Sequence, residues 1–110
     1  MKEAKYYEKI GASGNNRKIL KILKNGEYEE KKLTLLAMGR AAADSDAVYN
    51  QLVQILQAAE QKEDKLLAIE AVGLSGKSAA ISQLEFIIER NSDPQVEEAI
   101  RKAIRTIRDR

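Results

Sequence analysis

The chain has 110 residues, of which 44% are hydrophobic and 33% are charged, and its net charge is +2. These values indicate one compact folded domain rather than a disordered chain. Because there is no His and no Cys, the usual zinc, iron–sulfur and haem ligand sets are excluded, as are catalytic triads with a histidine base.

Seven helices are predicted in chain order, because apolar residues recur with helical spacing along the whole sequence. Ile81, Leu84, Ile87 and Ile88, for example, would lie on one face of the sixth helix. The predicted helices cover residues 2–10, 14–24, 27–42, 45–59, 62–74, 78–90 and 94–108. The predicted fold class is therefore all-α.

Polar residues and glycines mark the predicted helix ends. In the last helix, Asp93 is expected to be the N-cap, with Pro94 in the first helical position. The other expected N-caps are Ser13 or Asn15, Asp44 or Ser45, and Ser78, and the expected turn glycines are Gly11, Gly26 and Gly76.

Two families of similar segments alternate along the chain. Lys18–Leu23 aligns with Gln51–Leu56 and Gln83–Ile88 at offsets of 33 and 32 residues. Between them, Ala37-Met-Gly39 aligns with Ala71-Val-Gly73 and Ala103-Ile-Arg105. A shared period with two different helices per unit is typical of an α-solenoid. We predict repeats at about 1–26, 27–60 and 61–92, followed by a capping half-repeat at 93–110.

The best-defined segments resemble the short HEAT repeats of phycobilisome-lyase-like proteins. Asp93-Pro-Gln-Val-x-x-Ala resembles the start of that repeat, and Gly73-x-x-Gly76 followed by Ala80-Ile81-x-x-Leu84 resembles its turn and second helix. The resemblance covers about residues 26–107. It implies a right-handed α–α superhelix of about three helix pairs and a C-terminal capping helix, with the second helix of each pair lining a concave, protein-binding face. Some relatives are chromophore lyases or DNA-alkylation repair proteins, but no residue here carries over either activity.

Two apparent catalytic or ligand-binding signals have simpler explanations. Gly73-Leu-Ser-Gly76-Lys77-Ser78 ends like a phosphate-binding loop, but a helix precedes it and the first glycine of that motif is missing. The acidic clusters, such as Glu97 and Glu98, all fall at predicted helix starts, where negative charge stabilises the helix dipole. We therefore expect a protein that is not an enzyme and has no metal site and no cofactor.

The exposed positions of the second helices are the predicted partner-binding surface. They should align in three columns, Lys18/Gln51/Gln83, Lys21/Gln54/Phe86 and Lys24/Gln57/Glu89. Phe86 is expected either to bind a partner as an exposed aromatic residue or to pack against the last helix. The residues predicted to bind a protein or peptide partner are Lys18, Lys21, Lys24, Gln51, Gln54, Gln57 and Phe86.

An alternative function is nucleic-acid or anion binding by the basic N-terminal quarter. Residues 1–26 contain seven Lys or Arg and two Glu. Arg17, Lys18, Lys21 and Lys24 could contact phosphates, with nearby tyrosines as stacking groups. However, Tyr6 and Tyr7 are more economically explained as the core and the rim of the first, atypical helix.

The sequence also leads to expectations about location and association. No apolar run approaches the about 20 residues that span a bilayer, and the first residues lack the apolar region of a signal peptide. We therefore expect a cytoplasmic protein that does not associate with membranes. Weak self-association is also possible in principle, since the ends of helical repeat arrays can stack.

Overall fold

The computed structural model describes all 110 residues and contains seven α-helices and no β-strand. The seven predicted helices are all present, and each predicted end lies within three residues of the observed one. None of them combines the length and the apolar composition needed to cross a bilayer. The helices are α1 (Ala4–Ser13), α2 (Asn16–Asn25), α3 (Tyr28–Ala42), α4 (Asp46–Ala58), α5 (Lys62–Ser75), α6 (Ala80–Arg90) and α7 (Pro94–Arg108).

Most of the predicted N-caps are confirmed. Asn15, Ser45 and Asp93 each accept a hydrogen bond from a backbone amide in the first turn of α2, α4 and α7. These bonds satisfy amide groups that have no partner within the helix. The prediction for Ser78 was wrong: α6 begins two residues later, at Ala80, and has no side-chain cap.

The acidic residues at helix starts are also confirmed in that role. The Glu27 and Glu30 carboxylates form a reciprocal capping box at the start of α3. First-turn acids are present in α4, α5 and α7 as well, including Asp46, Glu63 and Glu97. Carboxylates near the positive ends of helix dipoles stabilise these helices.

Two glycines end helices in the left-handed conformation, and a third was assigned incorrectly. Gly14 and Gly76 follow α1 and α5 with φ of 66°, a conformation that glycine adopts without steric cost. Gly11, predicted to be in a turn, instead lies buried inside α1. It lies at a close contact between α1 and α3. Helix α1 continues past it and ends at Ser13.

The helices form two layers. The first helices, α1, α3, α5 and α7, pack side by side, and the second helices, α2, α4 and α6, cover one face of that row. The Lys31 ammonium contacts the Asp64 carboxylate at 3.1 Å, and the Lys62 ammonium contacts Asp93 at 2.9 Å. These ion pairs join the N-terminal ends of consecutive first helices, which therefore run parallel.

Small residues allow the first helices to approach closely. A β-carbon added to Gly39 would overlap the carbonyl oxygen of Ala71, and one added to Gly73 would lie 3.1 Å from Cα of Ala103. Gly11, which is not part of an Ala-x-Gly motif, makes a similar close contact with the backbone carbonyl of Thr34 in α3. The repeated Ala-x-Gly motif is therefore a packing motif, in which each glycine meets the alanine of the next first helix.

The last copy of this motif has Arg105 in place of glycine. This side chain is exposed and pairs with Glu98, and no further helix packs against it. A long charged side chain at this position would prevent another helix from approaching as closely as α5 approaches α3. The outer face of α7 is thus chemically different from the outer faces of α3 and α5.

One continuous hydrophobic core lies between the two layers. Both layers contribute fully buried side chains to it, so the burial of apolar surface holds the second helices against the first helices. The largest of these residues are Ile19, Leu35, Met38, Leu52, Ile69, Leu84 and Ile100.

The second helices are spaced more widely than the first helices. No close backbone packing joins α2 to α4 or α4 to α6, and long side chains bridge the gap instead. The Gln57 amide, for example, donates to Oε1 of Gln83 at 3.3 Å. When one layer of helices is spaced more closely than the other, the array curves with the closely spaced layer on its concave side. This spacing therefore does not favour the expected concavity of the second-helix face.

Candidate interaction surface

The predicted lysines of α2 are all exposed. Helix α2 buries Ile19 and turns Lys18, Lys21 and Lys24 outward together with Arg17. None of these four cations lies within 4 Å of a carboxylate. The structure therefore brings the four predicted basic residues together on one free helix face.

The predicted glutamines of α4 are not equivalent to one another. The amide of Gln51 is half-buried and donates to the backbone oxygen of Gly14 at 3.1 Å, so it connects α4 to the turn before α2. Gln57 is exposed but is bonded to Gln83. Only Gln54 is exposed without a hydrogen bond to another side chain, which leaves it available to a partner.

Phe86 is exposed rather than packed under the last helix. Its side chain is 54% accessible. The guanidinium of Arg90 lies 3.7 Å from the ring centroid, which is a favourable cation–π geometry. Phe86, Gln57, Gln83, Ser82 and Ile87 line an open cavity of about 320 Å³ between α4 and α6.

One contact between second helices differs from the predicted columns, which placed Gln57 beside Glu89. Gln57 contacts Gln83, which is 26 residues further along the chain instead of 32. Helix α6 packs closely against α7, and no comparably close packing joins it to α4 or α5. The predicted residues thus form two patches, a basic patch on α2 and an aromatic patch around Phe86, with Gln54 exposed on α4.

A groove between α1 and α2 was not recognised in the sequence. It has a volume of about 290 Å³, and Tyr6, Lys2, Lys18 and Lys21 are among its lining residues. Tyr6 is 39% exposed, and Tyr7 is buried beside it, so one of the two tyrosines is in the core and the other on the rim, in the reverse of the expected order. The sequence carried no direct signal for this contact, because Lys2 lies before the start of α1 at Ala4 and reaches the Tyr6 ring from there.

Tyr7 and Glu30 hold the wall of this groove in place. The Tyr7 hydroxyl donates to the Glu30 carboxylate, and the backbone amide of Lys2 donates to the Tyr7 oxygen. The Glu27 backbone amide and the Tyr7 hydroxyl lower the pKa of Glu30, and the bond to Glu30 raises the pKa of Tyr7. Glu30 is therefore ionised at neutral pH, with its oxygens in use.

The cations that form ion pairs and those that do not lie in different parts of the chain. None of the seven Lys and Arg in residues 1–26 forms an ion pair, whereas later cations such as Lys31, Arg40 and Arg101 do. Ion pairs satisfy the charge of a cation within the fold. The unpaired positive charge of this protein is thus concentrated at the α1–α2 end.

The turn that resembles a phosphate-binding loop is occupied by structural contacts. Lys77 Nζ lies 2.7 Å from the Asp46 carboxylate and 5.8 Å from the Tyr49 ring centroid. This lysine lowers the pKa of Asp46, and burial raises the pKa of Tyr49. No three Asp or Glu side chains converge anywhere in the molecule in a way that could hold a metal ion.

Compared with protein-family models, with curated protein sequences and with solved structures, the chain gives no match in any of the three.

Proposed function

We propose that this protein is a non-catalytic, HEAT-like interaction module that binds a partner protein or peptide on its second-helix face. Three features support assignment to the helical repeat class. These are the parallel first helices, the covering layer of second helices and the recurring alanine–glycine contacts. The resemblance to HEAT repeats adds a right-handed superhelix with α7 as a capping helix.

The exposed aromatic patch is the observation that carries the proposal. Phe86 exposes more than half of its side chain on a helix whose neighbouring exposed residues are polar. Aromatic residues and arginine are enriched among residues that dominate binding energy in protein interfaces. Phe86 and Arg90 are already stacked, so little conformational entropy would be lost when a partner covers them.

The acidic residues that could have supported catalysis have structural partners. Glu30, Asp46 and Asp93 each accept hydrogen bonds from a cap, a lysine or a tyrosine. Their pKa values are lowered by those partners, whereas a general acid that works near neutral pH needs a raised pKa. This distribution supports a binding role.

A double substitution of the surface tests the proposal. The variant Lys21→Ala/Phe86→Ala should lose capture of the native partner by about thirtyfold, the effect expected for a central interface residue. Both residues are exposed, so the helical circular dichroism spectrum should not change. The matched control is Lys102→Ala/Tyr28→Ala, which removes one exposed lysine and one exposed aromatic residue from the first helices. Full capture by the folded Lys21/Phe86 variant would reject the surface.

A second candidate function is nucleic-acid binding by the basic patch on α2. The observation in its favour is that Arg17, Lys18, Lys21 and Lys24 are exposed and unpaired. Four phosphate contacts would give a log–log salt slope of about −3 to −4. Absence of retardation in a gel-shift experiment at low salt would exclude this function.

A further inference from the structure

The groove between α1 and α2 holds its ammonium groups around an aromatic ring. Lys2 Nζ lies 5.2 Å from the Tyr6 ring centroid, and Lys18 Nζ lies 6.0 Å from the same centroid. Lys21 lines the same groove. Two lysines of α2 and one from the segment before α1 thus face one small space. The Glu30 carboxylate also lines the groove, but it is bonded to Tyr7 and to the Glu27 amide, and no carboxylate lies within 4 Å of any of the three ammonium groups.

We propose that this groove binds an acidic segment of a protein, whose carboxylates contact Lys2, Lys18 and Lys21. The inference rests on the proposed function as an interaction module and specifies the chemistry of the partner. Neither Lys2 nor Tyr6 belongs to the second-helix face, so the groove extends the binding surface around α2 onto α1.

The surroundings of Tyr6 keep the lysines in position before a partner arrives. The Tyr7 ring packs edge-on against Tyr6, with 5.1 Å between centroids. The Tyr7 hydroxyl is bonded in turn to the backbone of Lys2 and to Glu30. The segment that carries Lys2 is therefore attached to α3, and cation–π attraction orients its ammonium group. A partner would then lose less conformational entropy on binding than it would with free lysines.

Two features favour an acidic protein segment over a nucleic acid. Single-stranded nucleic acids bind by stacking bases on open aromatic rings, whereas the Tyr6 ring already contacts two ammonium groups and Tyr7. In addition, Leu20 on α2 is 51% exposed and lines a separate cavity next to α4, whose walls are mostly apolar but include Glu60 and Asp64. An apolar side chain of a peptide can occupy such a cavity, whereas a phosphate backbone cannot.

The test compares two labelled probes of similar charge, a ten-residue glutamate peptide and a ten-nucleotide thymidine strand. Their binding is followed by fluorescence anisotropy at low salt. The variant Lys18→Ala/Lys21→Ala should weaken peptide binding by about tenfold, because two exposed ion pairs are lost. The matched control Lys5→Ala/Lys9→Ala removes the same charge from α1 outside the groove and should weaken binding by at most about threefold.

Substitution of Tyr6 separates an organised groove from a general positive field. The variant Tyr6→Leu should weaken peptide binding by about two- to fivefold, because the ammonium groups lose the ring. Tyr6→Phe keeps the ring and should bind as the wild type does. Neither substitution alters the charge, so a purely electrostatic attraction would not distinguish them.

Three outcomes would overturn the inference. These are no detectable peptide binding at low salt, equal weakening by the two lysine pairs, and tighter binding of the thymidine strand than of the peptide. The single variant Phe86→Ala distinguishes these failures from failure of the proposed function. If native partner capture depends on Phe86 while the groove variants have no effect, the module binds its partner without the groove.

Discussion

Replacing Gly39 with alanine should destabilise the fold by about 2 kcal/mol. The new methyl group would overlap the carbonyl oxygen of Ala71 and lie 2.9 Å from its Cα. The obstacle is the backbone of α5, which cannot rotate away, so we place the cost at about 3 kcal/mol, the upper part of the range for overpacking. The higher helix propensity of alanine offsets up to about 1 kcal/mol of this.

Gly73→Ala is the matched control, because it makes the same change at the same repeat position. Its nearest obstacles are Cα and Cβ of Ala103, both at 3.1 Å, and a shift of a few tenths of an ångström would relieve them. The strain of about 1 kcal/mol is then close to the gain in helix propensity, so the stability of this variant should stay within about 0.5 kcal/mol of wild type.

The assay is urea unfolding followed by circular dichroism at 222 nm, supported by thermal melts. For a domain of this size, Gly39→Ala should melt roughly 10 °C below the wild type. If Gly39→Ala is as stable as the wild type, or if Gly73→Ala is the more damaging of the two, the close contacts between first helices are not what determines their spacing.

Two further predictions concern a helix cap and the part-buried hydrogen bond between Tyr7 and Glu30. Ser45→Ala removes the hydroxyl that accepts a bond from the Val48 amide at 3.2 Å and should cost about 1 kcal/mol in urea unfolding; an unchanged midpoint would contradict this role. Tyr7→Phe should raise the pKa of Glu30 toward its ordinary value, as a carboxyl NMR titration would show. Because the folded-state pKa of Glu30 is lowered, its contribution to stability is present above the ordinary glutamate pKa and is lost as the pH falls through the lowered one. Tyr7→Phe should therefore lose less stability over that pH range than the wild type, and an equal loss would contradict the reasoning.

The candidate surface was predicted in part from the sequence. Subtracting the apolar stripe of α2 correctly left Lys18, Lys21 and Lys24 exposed, because helical periodicity determines which side chains share a face. The same procedure left Gln51 and Gln57 exposed. Gln51 is half-buried instead, and Gln57, although exposed, is bonded to Gln83. Contacts between different helices depend on how the helices are placed, and a single-helix pattern does not contain that information.

The sequence by itself determined the local structure of this protein. Seven helices and the caps at Asn15, Ser45 and Asp93 follow from short-range interactions between residues a few positions apart, which apolar spacing and capping chemistry record directly. The period of about 33 residues is visible when the similar segments are aligned. The alanine–glycine motif was visible as a repeat in the sequence, but its role in helix packing was not. Only the folded structure shows that each glycine meets the next first helix.

Tertiary packing alone decided the relative positions of the helices. The bond between Gln57 and Gln83, which the aligned columns did not predict, joins α4 to α6, and α6 itself packs closely only against α7. The groove that joins Lys2 and Tyr6 to Lys18 and Lys21 arises because α1 and α2 both pack against α3. Such positions depend on how side chains from distant parts of the chain fit together, and periodicity within one helix cannot specify them.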